Sequence, residues 1–508
     1  FMDDHGRTRD ESPWLATTDG PRFSPLDGDR TVEVAVIGAG IAGLSTAIHL
    51  AEDGESVAVI ERDRVGAAVT GHTTAKVTTQ HGLKYHHLID TVGEERARQY
   101  AEANGDALEE VADRSAGFDA EFERTDAYVY AADAEGREQV REEARAAERL
   151  GLPAEFVESE EVDLPYETAG AVRFSQQGQF HPRKYVLGLA ERVEDEGGAV
   201  FEETRATDLE VGEPCEVETE GGTLTADHVV CATHFPVFDR GGYFARMETK
   251  RSHVVGVRVA GDPPEGMYYT AGDPYRSIRV HQLDGEPLVL VGGENHETGR
   301  GGSTSERYDR LEGFARETFD VEEVAYRWST QDYKTFDGVP YIGRLGPVGE
   351  NASVATGFGG WGMTGGVAAG RILSGLIRDG EHPQQEVFSP ARVNGESATS
   401  FLTHNAAVGA NFTADWARTL FASEEATLRA GDGTVVKTDD GPVGVSRSES
   451  GELNAVSAIC PHMKCVLRWN DGEASWDCPC HGSRFSPEGR VLDGPAIEDL
   501  PRRAAREK

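Results

Sequence analysis

Two short cysteine–histidine motifs near the C-terminal end constrain this chain more than any other feature. The first reads CPHMKC at residues 460–465, and the second reads CPCHGS at residues 478–483. Each motif offers a thiolate and an imidazole, so together they can give one iron two thiolates and a second iron two imidazoles. Zinc is the alternative, because cysteine and histidine also bind zinc, but the H-x3-5-H pair of zinc motifs does not occur here. The spacing therefore favours a two-iron site in a C-terminal domain.

The stretch resembles Rieske [2Fe–2S] domains in the order and spacing of both motifs. The resemblance implies four cluster ligands: Cys460, His462, Cys478 and His481. It also implies that the two spare cysteines, Cys465 and Cys480, form a disulfide beside the cluster, as in the cytochrome bc type. The two are 15 positions apart, and a bridge closing such a loop would stabilise the domain by roughly 3 kcal/mol.

Three further positions bear on the environment of this cluster. The segment 494–496, Gly-Pro-Ala, resembles the proline loop that covers the cluster in the Rieske family. Ser483 matches the serine whose hydroxyl bonds a bridging sulfide. Phe485 stands where high-potential members carry a tyrosine that bonds a ligand sulfur. Because hydrogen bonds to sulfur raise the potential, we expect a middling reduction potential.

The front of the chain carries a dinucleotide-binding pattern. An apolar run at 32–37 suits a buried parallel strand; GAGIAG follows at 38–43, then a helix to about Glu52 and a second strand ending at Glu61. The glycines permit a tight turn, close approach of the pyrophosphate and close helix packing, and Glu61 is placed to accept the ribose hydroxyls. The predicted cofactor contacts of this unit are Gly38, Ala39, Gly40, Ile41, Ala42, Gly43, Glu61 and Arg62.

A second glycine-rich loop, FGGWGMTGG at 358–366, precedes a helix predicted from about Val367 to Ile377. No second strand and acidic residue follow it, so it cannot complete another nucleotide site. It resembles the C-terminal closing segment of glycine-oxidase and D-amino-acid-oxidase type flavoproteins, where such a loop lies against the flavin. Segments at 178–204, 227–234 and 337–344 resemble the same family. The resemblance covers about residues 32–388, and it implies one FAD and no separate NAD(P)H domain.

The same resemblance implies FAD contacts outside the first unit. They are Thr73, Thr74, Ala232, Thr233, Gly343, Gly359, Gly360, Trp361, Gly362, Met363 and Thr364. His72 lies where some relatives carry a histidine attached covalently to the flavin, and a structural histidine is the commoner alternative.

Together the motifs predict an α/β FAD-binding domain of Rossmann type with an antiparallel-sheet substrate domain, then an all-β Rieske domain. The substrate domain should hold a long acidic helix at about 94–117 and alternating strands at about 251–295. The expected oxidoreductase spans 31–388, with FAD-binding segments at about 31–95, 170–235 and 335–388 and substrate segments at about 96–169 and 236–334. A flexible acidic arm at 1–30, a linker at 389–420 and a Rieske domain at 421–508 complete the expected order.

The charge of the chain limits its partners. Lys and Arg number 50 against 89 Asp and Glu, a net charge of −39. Such a surface repels nucleic acid and anionic lipid, so neither is an expected partner. The acidity resembles that of proteins from salt-loving archaea, where molar salt shortens the Debye length to about 3 Å; an ordinary acidic enzyme is the alternative. No apolar run approaches the roughly 20 residues of a membrane span. We expect a cytoplasmic protein, or one attached peripherally to a membrane through its electron acceptor.

The sequence offers weak candidates for catalysis, namely His81, Arg279 and Trp361. Arg279 lies with Arg276 and His281 on a predicted strand, where an arginine could grip a substrate carboxylate. A solvent-facing arginine is the favoured alternative on so acidic a protein. No confident general base emerges, which is acceptable because a neutral amine can pass a hydride directly to a flavin.

The leading hypothesis is an FAD-dependent dehydrogenase that oxidises an amine or amino-acid C–N bond. Electrons would pass from FAD to the fused Rieske cluster and on to an external quinone, ferredoxin or cytochrome. A flavin/iron–sulfur electron-transfer module and a redox sensor without its own turnover remain alternatives, since fold does not fix function. A Rieske oxygenase is disfavoured because no second His/carboxylate iron site is evident.

Overall fold

A computed structural model describes residues 8–346, 349–392, 395–420, 427–439 and 441–504. The predictions for residues 1–7 and for the start of the expected Rieske domain at 421–426 lie outside the described residues.

The helices of the described residues lie between Pro13 and Leu420. In chain order they are α1 (Pro13–Ala16), α2 (Ile41–Glu52), α3 (Tyr85–Val92), α4 (Glu94–Phe118), α5 (Ala134–Arg149), α6 (Pro182–Asp195), α7 (Ser305–Thr318), α8 (Gly362–Asp379), α9 (Gln385–Phe388) and α10 (Gly395–Leu420). The long acidic helix predicted at about 94–117 is α4.

The strands alternate with these helices and then continue alone to the C-terminal end. They are β1 (Arg30–Ile37), β2 (Val57–Ile60), β3 (Lys76–Val77), β4 (Glu123–Tyr130), β5 (Ala154–Val157), β6 (Ala171–Gln179), β7 (Ala199–Phe201), β8 (Ala206–Glu210), β9 (Cys215–Thr219), β10 (Thr223–Cys231), β11 (Met247–Val259), β12 (Met267–Thr270), β13 (Arg276–Leu283), β14 (Glu286–His296), β15 (Val321–Thr335), β16 (Tyr341–Arg344), β17 (Ala352–Thr356), β18 (Gly433–Thr438), β19 (Gly441–Arg447), β20 (Leu453–Ser457), β21 (Arg468–Asn470), β22 (Ser475–Asp477), β23 (Arg484–Phe485) and β24 (Val491–Asp493).

The first sheet has the order β16-β17-β10-β1-β2-β7, with the β8–β9 hairpin on β10. Its strands β17, β10, β1, β2 and β7 run parallel. Helices α2 and α8 pack against each other beside it. The close approach requires glycine in α8, because a Cβ at Gly370 would lie 2.6 Å from the backbone of Ser45 in α2. Helix α8 begins at Gly362, five residues earlier than the sequence predicts.

The second sheet has the order β15-β11-β14-β13-β12-β4-β6-β3, with β5 beside β6. Its strands pair antiparallel except for β12 and β4. This is the predicted substrate sheet. The C-terminal part holds the three-stranded sheet β18-β19-β20 and the four-stranded sheet β21-β22-β23-β24, as expected for an all-β domain.

The structure corrects the expectation of a flexible arm at 1–30, as far as residues 8–30 are concerned. Trp14 is fully buried, and its indole N–H donates to the Thr73 carbonyl over 2.7 Å. Phe23 and Leu26 are buried as well. Burying these side chains outweighs the polar composition of the segment, since each large apolar group contributes roughly 1.5–3 kcal/mol.

The segment 389–420, expected as a linker, contains the long helix α10. Residues 396–408 hold neither proline nor glycine, so nothing local interrupts a helix there. The Trp416 indole N–H donates to the Lys464 carbonyl over 3.1 Å, which attaches α10 to the first cluster motif. Among the helices of the described residues, none is both long and apolar enough to cross a membrane.

Candidate functional site

The glycine loop after β1 has the backbone geometry of a phosphate-binding turn. Gly38 has φ +107°, and a Cβ there would lie 2.5 Å from the Ala232 carbonyl oxygen. A Cβ at Gly43 would lie 1.9 Å from the Gly38 carbonyl oxygen. Only glycine fits at these two positions, which leaves the backbone free to approach a pyrophosphate at the N-terminus of α2. The loop therefore fits a bound dinucleotide.

Glu61 stands at the end of β2, beside this loop. Its carboxylate accepts hydrogen bonds from the backbone N–H groups of Ala39 (2.9 Å) and Asp63 (3.0 Å). Burial raises the pKa of Glu61, and these two N–H groups oppose that effect. The carboxylate is thus held at the loop with acceptor capacity left for ribose hydroxyls.

A cavity opens beside the loop. Ten predicted FAD contacts line it: Gly38, Gly40, Ile41, Ala42, Glu61, Arg62, Ala232, Thr233, Gly362 and Met363. Sequence reasoning missed other lining residues of the same domain, among them Thr70, His234, Phe235, Asp332 and Phe358. His234 and Phe235 directly follow a predicted contact, so extending the predicted segment by two positions would have found them.

The remaining predicted FAD contacts lie elsewhere. The Ala39 N–H donates to Glu61, and Gly43 packs against the Gly38 carbonyl. The carbonyls of Thr73 and Thr74 accept hydrogen bonds from Trp14 and Arg279. Gly343 faces the ring of Pro390, where a Cβ would come within 3.0 Å. Gly359 and Gly360 lie next to β15, Trp361 stacks on His81, and the Thr364 hydroxyl donates to the Thr78 carbonyl.

The cysteine–histidine motifs come together in the C-terminal domain. Cys460 and Cys478 are buried, and the rings of His462 and His481 lie 5.2 Å apart at 85°. The buried Nδ1 of His481 has no hydrogen-bond partner within the described residues. The side chains of Cys460 and Cys478 are hydrogen-bonded to each other, which lowers the pKa of Cys460 and raises that of Cys478. Two buried thiols and an unpartnered imidazole nitrogen fit a [2Fe–2S] cluster of mixed ligation.

The neighbours of the cluster motifs are also in place. Cys465 and Cys480 are joined by a disulfide in the structure. The Ser483 hydroxyl oxygen accepts the Ala496 N–H over 3.0 Å, which ties the proline loop to the second motif. Phe485 is fully buried. The ring of Phe244, from the oxidoreductase part, lies edge-on to His462 (5.4 Å) and His481 (5.1 Å).

The proline loop closes one wall of the cavity that the glycine loop opens. Val491, Leu492, Asp493, Gly494, Ala496 and Ile497 of the C-terminal domain all line it. The Arg62 guanidinium, next to Glu61, donates to the Leu492 carbonyl over 3.0 Å. No local sequence signal could reveal this wall, because it depends on how two domains dock.

One face of the edge strand β15 holds the C-terminal domain against the substrate sheet. Alternate residues of a strand share a face, and Ser329, Gln331 and Tyr333 all contact the C-terminal domain. The Ser329 hydroxyl bonds to Glu473; the Gln331 amide donates to the Gly482 carbonyl (2.8 Å); and the Tyr333 hydroxyl donates to the Gly494 carbonyl (2.8 Å). The substrate sheet is thus attached directly to the second cluster motif and to the proline loop.

The structure corrects the expectation of solvent-facing arginines on β13. Arg276, Arg279 and His281 are all buried. The Arg279 guanidinium donates to the carbonyls of Thr74 (2.9 Å) and Ala75 (2.7 Å), and burial lowers its pKa to about 9. The strand lies inside the sheet between β12 and β14, and Gln282 is its one exposed residue.

His81 and Trp361, the other catalytic candidates, stack with ring centroids 4.7 Å apart. The Nδ1 of His81 bonds to the Tyr100 hydroxyl (2.7 Å), and its Nε2 is 2.8 Å from the Thr78 carbonyl. Burial, and then the nearby Lys84, lowers the pKa of His81 to about 3. With both nitrogens engaged, His81 holds the loop before α3 in place. His72 bonds through Nδ1 to the Ala68 carbonyl.

Comparison with known proteins agrees with this architecture. The family model of FAD dependent oxidoreductases matches residues 33–376, more than half of the chain. The chain belongs to the FAD-dependent oxidoreductase family. The model of the Rieske [2Fe-2S] domain matches residues 418–503 of the same oxidoreductase. The resemblances, the fold class and the two cofactors predicted from the sequence, FAD and a [2Fe–2S] cluster, are confirmed.

Individual relatives of this oxidoreductase agree with the family match. The Rieske 2Fe-2S iron-sulfur protein YhfW of Bacillus subtilis is 36% identical over 96% of this chain and 97% of its own length. Gamma-glutamylputrescine oxidoreductase of Escherichia coli is 24% identical over 70% of this chain and 86% of its own length. Among solved structures, glycine oxidase from Geobacillus kaustophilus superposes with a TM-score of 0.59 and 21% identity, over 72% of this chain and 100% of that one. The last similarity concerns the fold alone.

Proposed function

We propose that this oxidoreductase is a dehydrogenase that oxidises an amine or amino-acid C–N bond and passes the electrons through its own Rieske cluster to an external acceptor. One observation carries the proposal: Gly494 and Ala496 of the proline loop, with Leu492 and Asp493 just before it, form a wall of the cavity that the dinucleotide loop opens. An oxidase that hands electrons to oxygen has no use for a cluster beside its flavin.

Residues of the chain divide the work between the two cofactors. Glu61 and the turn at Gly38–Gly43 would hold the nucleotide half of FAD, and Gly362 and Met363 line the same cavity. Cys460, Cys478, His462 and His481 hold the cluster. When bound, FAD supplies the hydride acceptor and the cluster the one-electron acceptor.

The names of relatives support an amine as the substrate. Gamma-glutamylputrescine and glycine both carry the C–N bond that this chemistry needs. The interior of the substrate sheet holds a buried lysine: the Lys76 Nζ lies 3.6 Å from the ring centre of Tyr269, and it donates to the Ser277 hydroxyl over 2.5 Å. Burial, and then Arg279, lowers the pKa of Lys76 well below its ordinary value.

The proposal also covers the electron acceptor and the cellular environment. We propose a quinone, a ferredoxin or a cytochrome as acceptor, and a cytoplasm of high salt, which the net charge of −39 supports. The Cys465–Cys480 disulfide is proposed to persist there because both cysteines are buried, which limits access by reducing thiols.

A substrate panel tests the function. The anaerobic holoprotein is mixed with glycine, gamma-glutamylputrescine and other amines and amino acids, and flavin absorbance is followed. We expect bleaching by at least one amine, and little peroxide when oxygen is admitted without another acceptor. Rapid peroxide formation would indicate an oxidase. If no compound of the panel bleaches the flavin while dithionite still reduces both centres, an electron-transfer module or a redox sensor would be favoured.

A further inference from the structure

The strand β15 connects the flavin cavity to the cluster through two side chains on one face, Gln331 and Tyr333. We infer that both are positioning residues, which hold the two loops around the cluster against the cavity so that electrons can pass between the cofactors. The inference rests on the proposed function, because it concerns transfer from FAD to the cluster.

Tyr333 contacts both the lining of the flavin cavity and the proline loop. It is only 1% exposed, and its ring packs against His234 (4.9 Å) and Phe235 (5.1 Å), which line the cavity. Its hydroxyl donates to the Gly494 carbonyl in the proline loop over 2.8 Å. One side chain therefore spans the distance from the cavity wall to the loop that covers the cluster.

Gln331 fixes the other loop. Its amide group donates to the Gly482 carbonyl (2.8 Å) and to the Tyr333 hydroxyl oxygen (3.0 Å), while its carbonyl oxygen accepts from the Thr298 hydroxyl (2.7 Å). Gly482 follows the cluster ligand His481 directly. Every polar atom of the Gln331 side chain is therefore used, which fixes its orientation and that of the loop.

The loop at Gly482 lies in direct contact with the sheet. Gly482 has φ +82°, and a Cβ there would come within 2.5 Å of Thr249 on β11. Thr249 is the register partner of Tyr333. Because the packing is this close, a substitution that moves the loop at Gly482 or the loop at Gly494 should change the distance between the cluster and the flavin cavity.

The electron balance of the step is simple. In each transfer one electron leaves the reduced flavin, and one iron of the cluster changes from ferric to ferrous. The external acceptor then reoxidises the cluster before the second electron follows, and the protons of the reduced flavin pass to water. The rate of such a transfer falls steeply as the distance between donor and acceptor grows.

The test compares Tyr333→Phe and Tyr333→Leu with wild type in the full holoprotein. Tyr326→Phe is the matched control, because Tyr326 is buried on the same strand but packs beside Arg9, away from the cluster. A laser flash with a deazaflavin photoreductant reduces the flavin without any substrate, and cluster absorbance reports the transfer. EPR records the occupancy and signal shape of the cluster, and hydrogen exchange records protection of the loop around Gly494.

We expect transfer to slow in Tyr333→Phe and to slow further in Tyr333→Leu, which also loses the ring. Tyr326→Phe should match wild type. The hydrogen-exchange protection of the Gly494 loop should fall about tenfold in Tyr333→Phe. A tenfold change corresponds to the loss of one buried hydrogen bond at the upper end of the usual range of net stabilisation.

Wild-type transfer rates in Tyr333→Leu with a full cluster signal would overturn the inference. Should the leucine variant lose its cluster, Tyr333→Phe decides, and wild-type transfer together with unchanged protection there would overturn it equally. A wild-type protein whose flash-reduced flavin never reduces the cluster would instead contradict the proposed function.

Discussion

The ion pair between Arg251 of β11 and Glu473 of the Rieske domain is the most exacting test of how the two domains are held together. The Arg251 side chain is 1% exposed and that of Glu473 17%, and an Arg251 nitrogen lies 2.7 Å from the Glu473 carboxylate. Glu473 also accepts hydrogen bonds from Arg484 (3.1 Å) and Asn470 (3.0 Å). We predict that Glu473→Gln destabilises the docked protein strongly.

The magnitude follows from the charge that the substitution leaves behind. The Nε and Nη1 atoms of Arg251 have no hydrogen-bond partner within the described residues, so Glu473 is the acid that neutralises it directly. Removing one partner of a buried pair costs about 3–5 kcal/mol, because the other charge stays buried and uncompensated. A glutamine retains one acceptor oxygen, so we expect a loss near the lower end, about 3 kcal/mol.

The loss of the Glu473 charge should also change how the stability of the protein depends on pH. Burial alone would raise the pKa of Glu473, but Arg251 and Arg484 hold it well below its ordinary value. A carboxylate with a lowered folded-state pKa stabilises fully above its ordinary pKa, and this contribution declines as the pH falls below that value. The acid-induced loss of stability should therefore be smaller in Glu473→Gln than in wild type.

Denaturant unfolding, followed by flavin release and by the Rieske signal, measures the effect. Glu350→Gln is the control, since its pair with Arg344 is exposed and such pairs contribute roughly 0–1 kcal/mol. A Glu473→Gln variant no less stable than this control would refute the interpretation of a buried, structurally required pair. Replacement of both Arg251 and Glu473 by methionine should recover much of the loss, because no unpaired charge then remains.

Three further predictions concern the cofactors and the N-terminal segment. Gly43→Ala should abolish FAD binding, because its Cβ would lie 1.9 Å from a carbonyl oxygen of the glycine loop; Gly105→Ala, with open space around it, should bind FAD normally, and equal flavin content in both would contradict the loop assignment. Cys460→Ser should lose the Rieske EPR signal while Cys215→Ser keeps it, and a persisting signal in the first would exclude Cys460 as a ligand. Trp14→Ala should cost about 3–5 kcal/mol in denaturant unfolding, whereas a cost near zero would restore the flexible arm.

Much of the fold could be predicted because its motifs are local and periodic. The strand–glycine loop–strand–acid pattern ending at Glu61 and the paired cysteine–histidine motifs each lie within about 30 residues of sequence. Their geometry is fixed by backbone requirements, as the contacts of Gly38 and Gly43 demonstrate. Such patterns identify a unit without knowledge of its neighbours.

What could not be predicted depends on contacts distant in sequence. Tyr333 and Gly494 are 161 positions apart, and no periodicity marks either one. Arg279 was expected at the surface because arginine usually lies there, yet its strand is central in the sheet. The segment around Trp14 has the composition of a flexible arm, but a few buried apolar side chains fix it. In each case tertiary packing overrides local composition.

The central claim is that substrate electrons reach the cluster through the flavin. The most direct measurement mixes the anaerobic holoprotein with an amine that bleaches its flavin, freezes samples at successive times and records EPR spectra. We predict a Rieske signal that grows as the flavin is reduced and reoxidised, with Cys460→Ser showing flavin bleaching alone. Flavin bleaching in wild type without any Rieske signal would contradict it.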